Sequence, residues 1–451
     1  MRVTIIGTGY VGLTTGAALA YLGNEVTFVD KKRDVVEQLA SGRPTIHESG
    51  LAEVMAAGRP RSTFRTDIPE LTGEGVVLIA VGTPSKDDGD ADLSFVDVAA
   101  TEVADKIQPG ARLVVVNKST VPVGSARHVD GIIARRLAAR GVSAEVHVAS
   151  NPEFLAEGRA VHDTLYPDRI VVGSDTQVAR AMLRELYAPI LEQIFDPPPG
   201  SPRPERLELP PFIGTTTTSA ELTKYAANAF LATKISFINE FSVLAEKVGA
   251  DIVEVARAIG LDSRIGGKFL NAGIGWGGSC FGKDTSAVMA LGTSYDYQMP
   301  LVRAAVDVNK RQRLYVVEKL QHHLKVLRGT TIGLLGLAFK GNTDDLRDAP
   351  ALTLIRELSQ RGAVLRVHDP IAMDNAKRHF PDLPVEYCAS EVEMASGCDA
   401  VVVVTDWPQY RQVDFAAVAE AMRGDLLLDA RNLLQPNSVT AAGLTYVGIG
   451  R

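Results

Sequence analysis

The chain has 451 residues, 46% hydrophobic and 22% charged, with a formal net charge of −7 and three cysteines. At about 100–200 residues per domain, that length predicts two or three domains, each with its own core, and three cysteines exclude a disulfide framework in favour of a reducing, cytoplasmic setting. The start, Met1-Arg2-Val3-Thr4-Ile5-Ile6-Gly7, reads as neither signal peptide nor spanning helix, and the 47 basic residues are scattered, so no membrane or nucleic-acid partner is expected.

Short β-branched runs at residues 3–6, 25–29, 76–81, 113–117 and 145–149 alternate with helix-like segments. Each is nearly continuous in apolar character, the pattern of parallel strands buried on both faces. Residues 196–211 turn proline-rich, which marks a domain boundary or a long excursion. From about Ser219, Leu222, Tyr225, Ala226, Ala229, Phe230, Thr233, Phe237, Phe241, Leu244 and Val248 recur at three- and four-residue spacing, and Gly249 is a plausible stop. This predicts one long helix, of the kind that links domains or builds a dimer interface. A second α/β rhythm follows, with strands at 331–336, 364–368, 400–405 and 426–429 and a helix over 349–361. The expected division is residues 1–200, a helical centre at 212–310, and residues 325–451.

Gly7-Thr8-Gly9-Tyr10-Val11-Gly12 follows the first strand and opens a helix of small residues. Such glycines let a pyrophosphate approach the helix N-terminus, where free N–H groups and the dipole favour anions. The next strand ends at Asp30, 18 residues after Gly12, placed to accept from adenosine ribose hydroxyls and favouring NAD over NADP. Thr83 and Thr120 sit in polar turns after the third and fourth of these strands and are candidate cofactor or water contacts, with plain turn roles as the alternative.

In Asn151-Pro152-Glu153-Phe154-Leu155-Ala156-Glu157-Gly158, a helix after Pro152 would put Glu153 and Glu157 on one face; two surface glutamates are the alternative. Lys224 and Asn228 lie four apart on the long helix and are candidate donors to a developing oxyanion, against a reading as exposed helix polars. Gly275-Trp276-Gly277-Gly278-Ser279-Cys280-Phe281-Gly282-Lys283-Asp284 crowds glycines before a cysteine that precedes a helix expected at 285–291. The dipole and Lys283 would favour a thiolate there, making Cys280 a candidate nucleophile and Asp284 a base or water-orienting group; a buried spectator thiol is the alternative. Cys388 and Cys398 read as packing residues. No ligand spacing predicts a metal.

Taken in order, the motifs at 7–12, 81–84, 119–124, 151–158, 221–229, 269–284, 338–347 and 429–432 resemble those of the UDP-glucose/GDP-mannose dehydrogenase family over nearly the whole chain. The resemblance implies two Rossmann-like doubly wound parallel-sheet domains joined by a helical central domain with one long helix. It also implies a four-electron oxidation of a nucleotide-sugar primary alcohol using two NAD molecules in turn, with UDP-glucose as substrate and GDP-mannose as the alternative. A two-electron β-hydroxyacid-type dehydrogenase is a further alternative, lacking Cys280 and the last domain.

By the same resemblance Cys280 carries a thiohemiacetal and a thioester, Lys224 and Asn228 stabilise oxyanions, Glu153 handles protons, and Thr120 with Asp284 positions the hydrolytic water. NAD falls to Gly7, Gly9, Tyr10, Val11, Gly12, Asp30, Thr83, Pro84, Thr120, Glu157, Lys283 and Arg347. The nucleotide sugar falls to Glu153, Phe154, Leu155, Lys224, Asn228, Phe269, Leu270, Asn271, Ala272, Gly273, Gly277, Lys340 and Arg431, with Arg264 reaching the neighbouring subunit's substrate in a homodimer or higher homo-oligomer. The chain departs from the family pattern at Gly282, where many relatives carry proline, at Val35, where a lysine is frequent, and in the longer proline-rich segment.

Overall fold

The computed structural model describes residues 1–86 and 88–451. The chain divides into two compact units, Met1–Ala227 with Ser286–Tyr295, and Asn228–Thr285 with Asp296–Arg451.

The first unit is built on an eight-stranded sheet of β1 (Arg2–Ile6), β2 (Glu25–Val29), β3 (Ser62–Arg65), β4 (Glu74–Ile79), β5 (Arg112–Asn117), β6 (Glu145–Ser150), β7 (Ile170–Gly173) and β8 (Phe212–Thr215), in the order β3-β2-β1-β4-β5-β6-β7-β8. β1 pairs in parallel with β2 on one side and β4 on the other, Ile6 opposite Val29 and Ile79, so the strand order reverses beside β1. Ligands bind at such a switch point, outside the carboxyl ends of the strands. The apolar runs are continuous because each face buries alternate residues. Val3, Ile5, Val76 and Leu78 enter one core with Leu13, Leu19 and Phe28, while Ile6, Val77 and Ile79 enter the other with Val29, Val103 and Val115. β7 alone pairs antiparallel to its neighbour, β6.

The proline-rich segment is an excursion within this unit. β8 beyond it pairs in parallel with β7, so the sheet extends past the residue 200 expected as its end. Backbone oxygens of the excursion accept from tyrosines at the C-terminal ends of two helices, Asp196 O from Tyr21 (2.6 Å) and Ser201 O from Tyr166 (3.1 Å).

The second unit holds a six-stranded, all-parallel sheet of β9 (Thr331–Leu335), β10 (Val364–His368), β11 (Glu386–Tyr387), β12 (Ala400–Val403), β13 (Leu426–Asp429) and β14 (Thr445–Val447), ordered β11-β10-β9-β12-β13-β14. It repeats the arrangement of the first sheet around β9.

The long helix is one continuous element, Thr217–Val248, of 32 residues. It contains neither glycine nor proline, Thr216 Oγ1 accepts from the Ser219 amide at its start, and Gly249, at φ 74°, ends it in the left-handed conformation. Among the described residues no helix is long and apolar enough to cross a membrane, and no three His, Cys, Asp or Glu side chains are grouped to hold a metal.

Candidate active site

In the first unit, the turn after β1 is built by backbone. Gly7 has φ 93°, and a Cβ on Gly12 would stand 1.9 Å from Gly7 O, so helix and turn meet too closely for any side chain. Gly9 differs: among the described residues a Cβ there would meet no atom within 4 Å. Protein packing does not call for glycine at that position, and the open space lies at the N-terminus of the helix Tyr10–Tyr21, whose cap, Gly9, offers no side chain. The favourable dipole of that N-terminus and the room beside Gly9 suit a pyrophosphate. Asp30 completes the set at the end of β2. Its Oδ2 accepts from Thr8 N (3.1 Å) and Thr8 Oγ1 (2.7 Å) and its Oδ1 from Lys32 N (3.0 Å), which fixes the carboxylate beside the turn. The residues therefore fit a dinucleotide. Tyr10 and Val11 are half-buried on the helix's first turn, and Pro84 is exposed. Thr83 donates to Thr120 O at 2.8 Å, tying the turn after β4 to the turn after β5.

The segment 151–158 is not helical, contrary to the expectation that Glu153 and Glu157 share a helix face; the next helix is Ala160–Leu165. Carboxylates take the amides a helix would use. Leu155 N donates to Glu153 Oε2 (2.6 Å), Ala156 N to Asp163 Oδ2 (2.9 Å), and Gly158 N and Ala160 N to the two oxygens of Glu48 (2.8 and 2.6 Å). Glu48 escaped sequence reading because its partners lie 110 residues along the chain.

Glu153 is therefore separated from Glu157 and turned inward, 8% exposed, where Oε1 pairs with Lys224 Nζ at 2.9 Å. Burial pushes against its charge, but the Lys224 ammonium, the Leu155 amide and Lys118 outweigh that and hold its carboxyl below the usual glutamate range. Lys224 is 3% exposed, so it is no solvated helix polar. Phe154 lies under the Arg169 guanidinium, 3.8 Å from its ring centroid, with Lys224 Nζ at 5.5 Å; Leu155 and Glu157 are half-buried. Glu221, one turn before Lys224, accepts from Gly124 N (2.7 Å) and Ala126 N (2.8 Å), anchoring the long helix to the turn that carries Thr120.

In the second unit, Asn228 is also buried, and its amide donates to Asp284 Oδ2 at 2.5 Å. Asp284 Oδ1 pairs with Lys283. The helix they belong to is Phe281–Ser294 and starts earlier than expected, directly after Cys280, whose carbonyl accepts from Asp284 N at 2.8 Å. The half-buried thiol thus sits at a helix N-terminus, the placement that favours a thiolate, with Ser279 Oγ 3.5 Å from Sγ. Cys388 and Cys398 are buried among apolar residues, and burial pushes both thiols upward.

The glycine-rich approach to Cys280 is held by polar side chains that sequence reading did not single out. On the helix Pro300–Leu324, Asn309 accepts from Trp276 N (2.8 Å) and donates to Trp276 O (3.0 Å), Gln312 donates to Gly273 O (2.9 Å) and Arg313 to Trp276 O (2.7 Å). Asn239 of the long helix accepts from Gly273 N at 2.8 Å. Gly275, at φ 103°, gives Asn309 its access: a Cβ there would lie 2.4 Å from Asn309 Oδ1. The available signal was three polar residues at i, i+3 and i+4 on an otherwise apolar helix face.

Arg431 completes the brace, its Nε donating to Val404 O (2.7 Å) and its terminal nitrogens to Gly275 O (3.1 Å) and Phe339 O (2.7 Å). Nearby, Phe269 stands exposed at φ 65° and Asn271 is exposed, while Leu270, Ala272, Gly273 and Gly277 are buried. Lys340 lies over Phe339 at 5.5 Å, Arg347 pairs with Asp345, and the exposed Arg264 pairs with Asp262.

The second sheet does not duplicate the dinucleotide site. Asp369, the counterpart of Asp30 at the end of β10, is fully buried and accepts from the amides of Leu337, Ala338, Ile371 and Ala372 and from Trp407 Nε1. A carboxylate offers about four lone-pair sites, so none remains for a ribose.

Three family models match in order: the NAD binding domain of the UDP-glucose/GDP-mannose dehydrogenase family at residues 1–191, its central domain at 218–311 and its UDP binding domain at 333–436. A UDP-glucose 6-dehydrogenase of Pseudomonas aeruginosa is 43% identical, covering 100% of this chain and 98% of that one. This chain belongs to the UDP-glucose/GDP-mannose dehydrogenase family. A second member, a UDP-glucose 6-dehydrogenase of Bacillus subtilis, is 41% identical over 100% of this chain and 93% of its own. The solved UDP-glucose dehydrogenase of Pyrobaculum islandicum superposes with a TM-score of 0.86 at 37% identity, covering 100% and 97% of the two chains. A UDP-D-ManNAc dehydrogenase of Pyrococcus horikoshii gives 0.83 at 27%, covering 100% and 99%. As a member of this family with its NAD binding domain, the protein is an NAD-dependent oxidoreductase.

Proposed function

We propose that this enzyme oxidises UDP-glucose to UDP-glucuronate in two successive two-electron steps, with Cys280 as the covalent nucleophile. The observation that carries the reading is the half-buried Cys280 thiol at the start of the helix Phe281–Ser294, one turn before a buried Asp284 held by Asn228 and Lys283. Gly7, Gly9, Tyr10, Val11, Gly12, Asp30, Thr83, Pro84 and Thr120, with Glu157, Lys283 and Arg347, would hold NAD, which would supply the hydride acceptor for both oxidations.

Glu153, held as a carboxylate, takes the proton of the sugar C6 hydroxyl directly or through water, and the Lys224 ammonium stabilises the oxyanion that develops. The Cys280 thiolate adds to the C6 aldehyde, and the thiohemiacetal oxygen is stabilised by Lys224 and Asn228. Oxidation of that adduct leaves a thioester, which water oriented by Asp284 and Thr120 hydrolyses, releasing the carboxylate and restoring the thiol. Phe154, Leu155, Phe269, Leu270, Asn271, Ala272, Gly273 and Gly277 would line the nucleotide sugar, with Lys340 and Arg431 as cations for its pyrophosphate. The relatives favour the uridine nucleotide: full-length UDP-glucose 6-dehydrogenases match at 41–43% identity, against 28% for the GDP-mannose dehydrogenase of known structure. A homodimer that places Arg264 at a neighbour's substrate, and a cytoplasmic setting that keeps Cys280 reduced, belong to the same reading.

The test is the NADH yield from UDP-glucose, with GDP-mannose in parallel and Cys280→Ser as the control. Two NADH per UDP-glucose is expected, and Cys280→Ser should form no acid at the wild-type rate. A yield of one would assign a two-electron dehydrogenase, turnover of GDP-mannose alone would overturn the substrate, and undiminished acid from Cys280→Ser would remove the thiol from the mechanism.

A further inference from the structure

Glu48 lies on the loop before the helix Leu51–Gly58 and is only 7% exposed, yet no step above uses it. Its two carboxylate oxygens accept from Gly158 N at 2.8 Å and Ala160 N at 2.6 Å. Were the helix Ala160–Leu165 continued back toward Pro152, those amides would donate to Phe154 O and Ala156 O, four residues behind them. Glu48 takes both donors instead. An amide bonds a carboxylate more strongly than a neutral carbonyl, so the competition favours the open backbone. The consequence falls on Glu153: the open segment turns it inward to Lys224, whereas a helix would set it beside Glu157 on one face.

The Glu48 loop is itself held, and the proline-rich excursion holds it. Gly50 and Gly200 meet backbone to backbone: a Cβ on Gly50 would stand 3.2 Å from Gly200 O, and one on Gly200 3.0 Å from Gly50 Cα. Next to Gly200, Ser201 is buried and its carbonyl accepts from the Tyr166 hydroxyl, which ties the tip of the excursion to the residue that caps the helix Ala160–Leu165. Ser49, Gly158, Arg159, His162 and Gly200 line one pocket, so loop, excursion and segment end come together.

Resting on the function proposed above, we propose that Glu48 is a positioning residue for the first oxidation. By holding the amides of Gly158 and Ala160 it keeps residues 151–158 in the open form that delivers Glu153 to Lys224, and the proline-rich excursion buttresses it through the contact of Gly50 with Gly200. Only the first oxidation needs this. There Glu153 takes the proton of the C6 hydroxyl as the hydride leaves for NAD. In the second, the Cys280 thiolate adds to the aldehyde and gives the oxyanion directly, with no proton for Glu153 to take, before the second hydride leaves. Lys224 stands on the long helix, which Glu221 anchors without Glu48.

The experiment measures single-turnover NADH formation by the full-length enzyme, with NAD and enzyme in excess, from UDP-glucose and separately from the corresponding UDP-sugar C6 aldehyde. Wild type is compared with Glu48→Gln and Gly200→Ala. Gln leaves one oxygen for two amides and sets an N–H donor against the other. The first NADH from the alcohol should then form about tenfold to a hundredfold more slowly, the cost of displacing a reacting group by about 1 Å, while the aldehyde rate stays within about twofold of wild type. Gly200→Ala crowds Gly50 at the exposed tip and should lower the ratio of alcohol to aldehyde rate by a smaller factor, with the double variant no worse than Glu48→Gln alone. A ratio unchanged in Glu48→Gln would overturn the proposal, since a purely structural role slows both substrates together, and a ratio unchanged in Gly200→Ala would overturn the buttress. Should Glu48→Gln fail to fold, Gly200→Ala decides by the same ratio. Wild-type yields separate the two claims: anything other than two NADH from the alcohol and one from the aldehyde refutes the functional reading, whereas those yields with an unmoved ratio refute Glu48 alone.

Discussion

Lys224 and Glu153 form a pair in which each makes the other's burial tolerable. Removing one partner of such a pair costs about 3–5 kcal/mol of stability, whereas replacing both by apolar groups is often neutral. Lys224→Met is therefore expected to lower both stability and turnover. Adding Glu153→Gln should restore most of the stability and none of the activity. In denaturant titrations and steady-state assays, recovery of activity in the double variant would return both residues to a packing role. The loss of turnover should reach that of a missing oxyanion donor, about 3–4 kcal/mol in barrier. The sequence showed Lys224 as one polar residue on an amphipathic helix. Its partner is 71 positions away, and burial could not be read from spacing.

At the scale of the element, the turn after β1 separates glycines that the fold needs from one that a ligand needs. Gly12→Ala would drive a Cβ into Gly7 O and is expected to destabilise the first unit, whereas among the described residues a Cβ on Gly9 meets no atom within 4 Å. Gly9→Ala should thus unfold at nearly the wild-type temperature while the KM for NAD rises at least tenfold, a loss of about 1.4 kcal/mol in binding. Equal damage to unfolding temperature from both substitutions would refute this division. The fingerprint itself was readable because its spacing is set by local backbone geometry. The brace around the cysteine approach was not. Asn309, Gln312 and Arg313 bind backbone groups of residues 273–276, and a polar side chain on a helix does not announce a distant carbonyl. The helix expected for Glu153 and Glu157 failed for a related reason: Glu48, from a remote loop, takes amides that a helix would have used.

At the scale of the whole molecule, the long helix carries more apolar surface than one chain covers. Phe230 (66% exposed), Phe237, Phe241, Leu244 (52% exposed) and Val248 all reach solvent on it. Contiguous exposed apolar residues of this size mark an interaction surface, and a second copy of the chain is the partner proposed above. Phe230→Glu with Leu244→Glu is expected to convert a dimer into a monomer in sedimentation equilibrium. A wild type that sediments as a monomer would sink the dimer and, with it, the role of Arg264.

The sequence by itself determined that two α/β stretches flank one long helix along the chain, and it determined the glycine turn, because each is written in local periodicity and backbone freedom. It also singled out Cys280, through the glycines before it and the charges after it. Only the tertiary structure decided which polar residues are buried and paired: Glu153 with Lys224, Asn228 with Asp284, Lys118 with Asn151. The physical reason is common to all three. A charge or amide is satisfied by whichever group the folded chain brings within about 3 Å, and that distance has no counterpart in sequence spacing.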